Sequence, residues 1–155
     1  MRLKQNVIYQ KVCESLEKDR VYLRPSLSLS ELSVIVGTNT TYLSNTINTC
    51  FGRNFRALIN DFRIGYAVSL FLREGGTTRV KGLHARCGYT SVSVFYEAFT
   101  QRLGTSPMRL ARGLRAGGAA ALPPAYAEQY RTILSILHSQ PLAAVNTHTE
   151  NNPIY

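Results

Sequence analysis

The chain has 155 residues, of which 45% are hydrophobic and 17% are charged, and 18 lysines and arginines oppose 9 acidic residues for a net charge of +9. This size and composition predict one compact domain with an appendage, or two very small domains, and exclude a disordered basic tail and a collagen-like chain. The sequence has no run of about 18 apolar residues and no apolar leader, so we expect a soluble protein that is not exported.

Positive charge is concentrated in the first 115 residues, which hold 17 basic and 7 acidic residues. Arginine dominates, with 14 arginines against 4 lysines in the whole chain. A basic, arginine-rich surface is typical of proteins that bind a phosphate backbone or another anionic surface, although many basic domains carry such charge only for solubility. Charge alone therefore favours nucleic acid as a partner without establishing it.

The chain begins with a predicted amphipathic helix over residues 5–19. Apolar residues from Val7 to Leu16 recur every three or four positions, which places them on one helix face. Pro25 disfavours helical geometry at Arg24, so this first helix must end before that pair.

A helix-turn-helix pattern follows. Ser28 and Glu31 form a capping box that predicts a helix starting at residue 29, and Gly37 ends that helix as a left-handed C-cap. Asn39 is the N-cap of the next predicted helix, residues 40–50. Two helices joined by a tight, glycine-containing turn are the signature of this motif.

The same arrangement returns about 51 residues later, after a long helix predicted over 55–72 and ended by residues 75–76, a glycine pair. A short helix is predicted over 80–87, Gly88 follows it, and Ser91 caps the next helix. This internal duplication, with one helix between the two copies, is the most informative feature of the sequence.

The last predicted helix of the domain covers residues 108–114, with Pro107 at its first turn, where a missing amide is harmless. The glycine-rich and proline-rich segment 117–124 reads as a linker. Only residues 126–138 beyond it have a helical apolar pattern. This segment could pack as an extra helix on the domain, mediate dimerisation or stay unfolded, and we expect disorder or loose docking.

Taken in order and spacing, these motifs resemble the DNA-binding domain of the AraC/XylS family of bacterial transcription regulators over residues 5–113. The first half carries Pro25-x-Leu27-Ser28-Leu29-x-Glu31-Leu32, Gly37-x5-Leu43, Gly52-x-x-Phe55 and Ile59-Asn60-x-x-Arg63-Ile64-x-x-Ala67. The second half carries Cys87-Gly88-Tyr89-x-Ser91-x-Ser93-x-Phe95-x-x-x-Phe99 and Gly104-x-Ser106-Pro107.

The resemblance implies an all-α fold of seven helices, with two homeodomain-like helix-turn-helix subdomains joined by a long linker helix. The implied DNA-binding domain covers 1–115, with the first subdomain at about 5–54, the linker helix at about 55–72 and the second subdomain at about 77–113. Residues 116–155 would form a linker and tail. Both recognition helices would enter successive major-groove segments, about one helical turn apart.

The resemblance also implies which residues contact DNA. The base-reading positions fall on Thr41, Ser44 and Asn45 in the first recognition helix, with Thr40 and Asn48 beside them, and on Val92, Ser93 and Tyr96 in the second. Amide and hydroxyl groups predict a preference for A·T steps in the first half-site. The alternative for both sets, stronger for the second, is an ordinary solvated helix surface.

Arginines supply the expected phosphate contacts, with helix N-terminal amides helping. They are Arg53, Arg56, Arg63, Arg102 and Arg109. For any single arginine, an internal ion pair or a solvated side chain is an equally good interpretation.

The second copy departs from the family pattern at three positions. Glu97 stands where many relatives carry a basic residue, and a carboxylate is repelled by phosphates unless it accepts from cytosine. His84 replaces a small residue, and Gly82 replaces a helix former at a cost of about 1 kcal/mol. We therefore expect the second half to grip the backbone more than it reads bases, and to be locally loosened.

Other chemistry has little support. His84 and Cys87 could lie together on one helix turn, but a zinc site needs four ligands and no second pair exists, so we expect no metal and no cofactor. Cys13, Cys50 and Cys87 show no C-x-x-C spacing, which predicts free thiols in a reducing cytosol, with Cys50 and Cys87 in the core. No nucleophile motif, phosphate loop or carboxylate pair indicates an enzyme.

The predicted function is sequence-specific binding of double-stranded DNA and regulation of bacterial transcription, with RNA polymerase as a second partner. We expect no membrane contact by this chain itself, a monomer or weak dimer, and a cytoplasmic location at the bacterial nucleoid. Residues 37–44 resemble the motif at the cytoplasmic end of some membrane-anchored sensors. The alternatives are therefore the output fragment of a larger sensor, or a protein-interaction module with weak DNA binding.

Overall fold

The structure is a computed structural model that describes residues 2–118 together with 122–124, 126 and 128. These described residues form seven α-helices and one short 3-10 helix, with no strand among them, so the predicted all-α fold class is confirmed. The helices are α1 (Arg2–Glu17), α2 (Leu29–Val36), α3 (Thr40–Phe51), α4 (Phe55–Arg73), α5 (Leu83–Arg86), α6 (Val92–Leu103) and α7 (Pro107–Gly117), and the 3-10 helix is Val21–Leu23.

Local caps define α2 and α3 as predicted. The Ser28 hydroxyl accepts a hydrogen bond from the Glu31 amide at 3.0 Å, and the Asn39 side chain caps α3 in the same way. Gly37 ends α2 with a left-handed φ of 78°. The reciprocal half of the capping box is replaced by an ion pair, because the Glu31 carboxylate accepts from Arg24 at 2.8 Å.

The second motif keeps the same plan in a shorter form. Ser91 caps α6 through its side chain, and Gly88 has a φ of 88° in the turn before it. The helix predicted over 80–87 is only Leu83–Arg86, because Gly82 has a φ of 83° and that left-handed geometry cannot lie inside a right-handed helix. The prediction for this helix was therefore too long at both ends.

The helix at the start of the chain also differs from its prediction, 5–19. It covers Arg2–Glu17 and stops early because Arg20 adopts a left-handed φ of 50°. The 3-10 helix Val21–Leu23 then carries Tyr22 into the core, where the side chain is fully buried. The chain direction changes here, before Pro25 is reached.

The end of the domain extends further than predicted. Helix α7 continues through Gly117, which the sequence places in a linker, and Ser106 caps its start at the Arg109 amide. Tyr126 is 5% exposed and packs in the core of the second subdomain, so the chain returns to the domain after α7. The rest of the helix predicted over 126–138, apart from the exposed Glu128, lies outside the described residues.

Two hydrophobic cores meet on α4. The first is built by α1, α2 and α3 on the N-terminal half of α4, where Leu58 and Phe62 are buried. The second is built by α5, α6 and α7 on the C-terminal half, where Val68 and Phe71 are buried. Tyr66 packs against both cores. Since burial of apolar side chains stabilises both cores, the two helix-turn-helix units are held together by packing against the same helix, α4.

Candidate nucleic-acid interface

Helix α3 presents a polar face to solvent. Its buried side, including Leu43 and Ile47, packs in the first core, so the opposite side of the helix points outward. Four of the five residues predicted to read bases here are exposed and Ser44 is half-buried; the exposed ones are Thr40, Thr41, Asn45 and Asn48. Among the described residues, none hydrogen-bonds to these five side chains, so their amide and hydroxyl groups are available for base edges.

Helix α6 occupies the corresponding place in the second unit but offers a different surface. Val92 and Ser93 are exposed, while Tyr96 is half-buried with its ring centroid 5.8 Å from that of Phe95. A second valine, Val94, is 52% exposed. This face therefore offers methyl groups and one aromatic edge, which can contact the methyl group of thymine.

Arg63 does not lie at the surface, although the sequence predicts it as a phosphate contact. It is 9% exposed, and its guanidinium donates to the main-chain carbonyls of Tyr22 at 2.6 Å and Arg24 at 2.9 Å. Its Cζ atom lies 5.0 Å from the ring centroid of Tyr89, and burial lowers the pKa of the guanidinium. Arg63 is thus a joint that connects the two units inside the molecule, which is the internal alternative that the sequence left open for each arginine.

The same joint fixes Tyr89, which the sequence did not single out for this role. Its hydroxyl donates to the Asn60 side chain at 2.6 Å, and burial raises the pKa of the phenol to about 12. The joint therefore carries one cation and a neutral phenol near neutral pH. It ties the turn before α6 to α4.

Two more of the predicted phosphate-binding arginines are engaged inside the molecule. Arg53 and Arg102 both pair with the buried carboxylate of Asp61, and Arg102 also donates to the Ala98 carbonyl at 3.3 Å. The Arg102 side chain is 13% exposed and that of Arg53 is 40% exposed. The Arg102 guanidinium is therefore largely enclosed by its internal partners, whereas Arg53 keeps an accessible edge.

Arg56 and Arg109 are exposed, as is Arg53 outside its pair with Asp61. Arg56 lines a cleft of about 490 Å³ between the two units, whose walls also carry Ser28 and Ser91. Both serines cap helix N-termini, so the amide ends of α2 and α6 reach this cleft. A cleft with helix N-termini and a guanidinium is suited to a phosphodiester backbone.

Two lysines that the sequence interpretation overlooked lie beside the first helix-turn-helix turn. Lys4 and Lys11 of α1 line a groove of about 470 Å³ with Thr38 and Asn39, at the start of α3. The signal for them is their spacing of seven residues, which puts both on one helix face. They extend the basic surface next to the first recognition helix.

The three cysteines are free thiols that lie in or beside the two cores. Cys87 is buried, and burial raises the pKa of its thiol to about 12, while Cys50 is half-buried. No cluster of three or more potential metal ligands occurs in the part of the chain that the structure describes. In that same part, no helix has the length and apolarity needed to cross a bilayer.

The fold places two helix-turn-helix motifs on one shared helix, α4. A family model described as a helix-turn-helix domain, of the AraC type, matches residues 32–113, which is just over half of the chain. The chain therefore belongs to the AraC-type helix-turn-helix family, a family of DNA-binding transcription regulators.

A solved structure shares the fold. It is that of a protein of unknown function from Listeria innocua, which is 23% identical, has a TM-score of 0.58 and aligns over 66% of this chain and 93% of that chain. The search of curated proteins gives no match.

Proposed function

We propose that this chain binds double-stranded DNA sequence-specifically, with α3 and α6 in successive major-groove segments, and so regulates bacterial transcription. The observation that carries the proposal is the pair of capped, outward-facing helices built on the two halves of one helix, α4. Because α4 is continuous and shared, one monomer can address two half-sites about one turn of DNA apart.

The first half-site is read by hydrogen bonds. Asn45 is the strongest candidate, since an exposed amide can bond adenine through two atoms. Thr40, Thr41, Ser44 and Asn48 surround it with hydroxyl and amide groups that fit several base edges. This set supports a preference for A·T steps in the first block.

The second half-site is bound more through its sugar-phosphate backbone than through its bases. Val92 and Tyr96 offer apolar contact to thymine, Ser93 offers one hydroxyl, and Glu97 places a negative charge on the same helix. We expect weaker base discrimination here than in the first block.

Backbone contacts come from exposed cations around the two motifs. Arg56 in the cleft and Arg109 at the start of α7 are the leading candidates, with Lys4 and Lys11 beside the first turn and the accessible edge of Arg53 as additional ones. Residues of this type fix the position of a protein on DNA without reading sequence.

The remaining parts of the proposal concern the cellular setting. We propose a non-enzymatic regulator in the bacterial cytoplasm, acting on RNA polymerase as a monomer or weak dimer. Residues 1–115 form the DNA-binding unit, to which Tyr126 of the segment 116–155 is attached through the second core. Control by abundance or by a separate sensor fits equally well.

The test is selection of bound duplexes from a random library with the full chain, followed by titration of the selected duplex at several salt concentrations. Two enriched blocks about one helical turn apart, with affinity falling steeply as salt rises, are expected. One enriched block would restrict base reading to the first unit. Negligible binding with no enrichment would contradict the proposal and favour a protein-interaction module or a partner-dependent fragment.

A further inference from the structure

A single buried carboxylate connects the far ends of both outward-facing helices. Asp61 lies in the N-terminal half of α4 and is 3% exposed. Its Oδ1 atom accepts from Arg53 Nη2 at 3.1 Å and from Arg102 Nε at 2.9 Å, and its Oδ2 atom pairs with Arg53 Nε. A carboxylate at this depth requires such partners, because an unpaired buried charge is strongly unfavourable.

The two arginines lie near the C-terminal ends of the two outward-facing helices. Arg53 directly follows Gly52, the left-handed C-cap of α3. Arg102 lies in the last turn of α6, and its second bond, to Ala98, fixes the guanidinium to its own helix. The C-terminal ends of α3 and α6 are therefore both fastened to the same point of α4.

The other ion pairs among the described residues do not bridge the units. Arg24 and Glu31 both belong to the first unit. Glu74 is the C-cap of α4 and Arg86 is the last residue of α5, so this pair lies within the second unit. Both of those pairs are partly exposed, whereas the Asp61 carboxylate is buried. The Asp61 bridge thus differs in position and in environment from an ordinary surface ion pair.

We infer that Asp61 is a positioning residue that sets the separation and mutual rotation of α3 and α6, and so the spacing between the two DNA half-sites. This inference rests on the proposed bipartite binding. A guanidinium fork fixes orientation as well as distance, and Arg53 engages Asp61 through two nitrogens. One added base pair shifts a half-site by about 3.4 Å and rotates it by about 35°, so a rigid bridge translates directly into a strict spacer length.

The experiment measures spacer tolerance with the full chain. The probes are the duplex selected by the wild-type chain, the same duplex with one base pair added to or removed from the spacer, and a duplex with the first block alone. The variants are Asp61→Asn, which removes the charge at constant shape, and Arg102→Gln, which releases α6 and leaves the Arg53 pair in place. Arg86→Gln, which breaks the pair with Glu74, is the matched control.

The wild type and Arg86→Gln are expected to prefer the selected spacer by about tenfold. Asp61→Asn and Arg102→Gln are expected to reduce that preference to about threefold or less, while binding the single block within about twofold of the wild type. A merely structural role would lower folding stability and leave the ratio between spacers unchanged. If Asp61→Asn does not fold, as judged by circular dichroism, Arg102→Gln carries the comparison.

Two results would overturn the inference, and they are distinguishable. A wild type that shows no preference between spacers contradicts bipartite binding and the inference together. If the wild type, Asp61→Asn and Arg102→Gln all show the same strong preference for the selected spacer, the proposed function stands but Asp61 does not set the spacing.

Discussion

The first helix-turn-helix unit, built on α1 to α3, and the second, built on α5 to α7, share a glycine turn, a capped outward helix and a C-terminal glycine. They differ in the length of the helix before the turn and in the surface of the outward helix. The helix before the first turn, α2, has eight residues, whereas the helix before the second turn, α5, has only four. The first unit exposes amides and hydroxyls, and the second unit exposes valines and a carboxylate. The two copies therefore share their turns, caps and buried positions, and they differ in the exposed residues of α3 and α6.

The largest expected effect comes from breaking the joint that makes the two units one body. Arg63→Met retains most of the side-chain volume but removes the donors to the Tyr22 and Arg24 carbonyls. We expect the free energy of unfolding, measured in urea, to fall by about 4 kcal/mol, since hydrogen bonds from a charged group contribute about 1.5–3 kcal/mol each. Arg56→Met, at an exposed position of the same helix, should change it by less than about 0.5 kcal/mol. Equally small losses of unfolding free energy for the two variants would show that the Arg63 hydrogen bonds do not stabilise the fold.

The two turn glycines provide a matched pair. A Cβ atom at Gly88 would lie 2.6 Å from the Tyr22 carbonyl oxygen, whereas one at Gly37 would find its nearest neighbour, Lys11 Nζ, at 3.9 Å. Both glycines have positive φ, so alanine is strained at either position. We expect Gly88→Ala to lower the unfolding free energy by about 3 kcal/mol and Gly37→Ala by about 1 kcal/mol. Similar losses of stability for both variants in thermal denaturation would mean that the contact between residue 88 and the Tyr22 carbonyl does not affect stability.

Substitutions of base-reading residues should reduce DNA affinity more in the first unit than in the second. Asn45→Ala is expected to weaken the selected duplex by about 2 kcal/mol and to relax one base position, while Ser93→Ala weakens it by less than about 1 kcal/mol. Binding to random DNA should hardly change for either variant, because neither side chain is proposed to contact phosphate. Fluorescence titration on both duplexes checks this. Equal losses on selected and random DNA for Asn45→Ala would refute its role.

The smallest expected effect concerns the charge of the second recognition helix. Glu97→Gln removes a carboxylate from the exposed face of α6 and should strengthen DNA binding by about 0.5 kcal/mol at low salt. The gain should disappear as salt screens the repulsion. Gln101→Ala, a neutral change on the same helix, is the control and should give no salt-dependent gain. A loss of affinity for Glu97→Gln at one base position would instead indicate that Glu97 accepts from cytosine.

Local sequence signals were the reliable ones for this chain. The caps at Ser28, Asn39 and Ser91, and the glycine end of α2, were predicted at the right residues. Each depends on groups about three residues apart, so short-range chemistry decides it. The outward positions of Thr41 and Asn45 follow from helix periodicity in the same way. The errors at α5 and at the end of α1 arose where one residue, Gly82 or Arg20, adopts a left-handed backbone.

The sequence by itself determined the helices, their caps, the duplication and which face of α3 is polar. The tertiary structure alone decided which arginines are free, because the Arg63 carbonyl partners lie 41 and 39 residues away and Arg102 finds Asp61 across 41 residues. Such contacts form only when segments distant in sequence have packed against α4. No local pattern distinguishes a buried arginine from an exposed one, since the difference lies in what the rest of the chain brings to it.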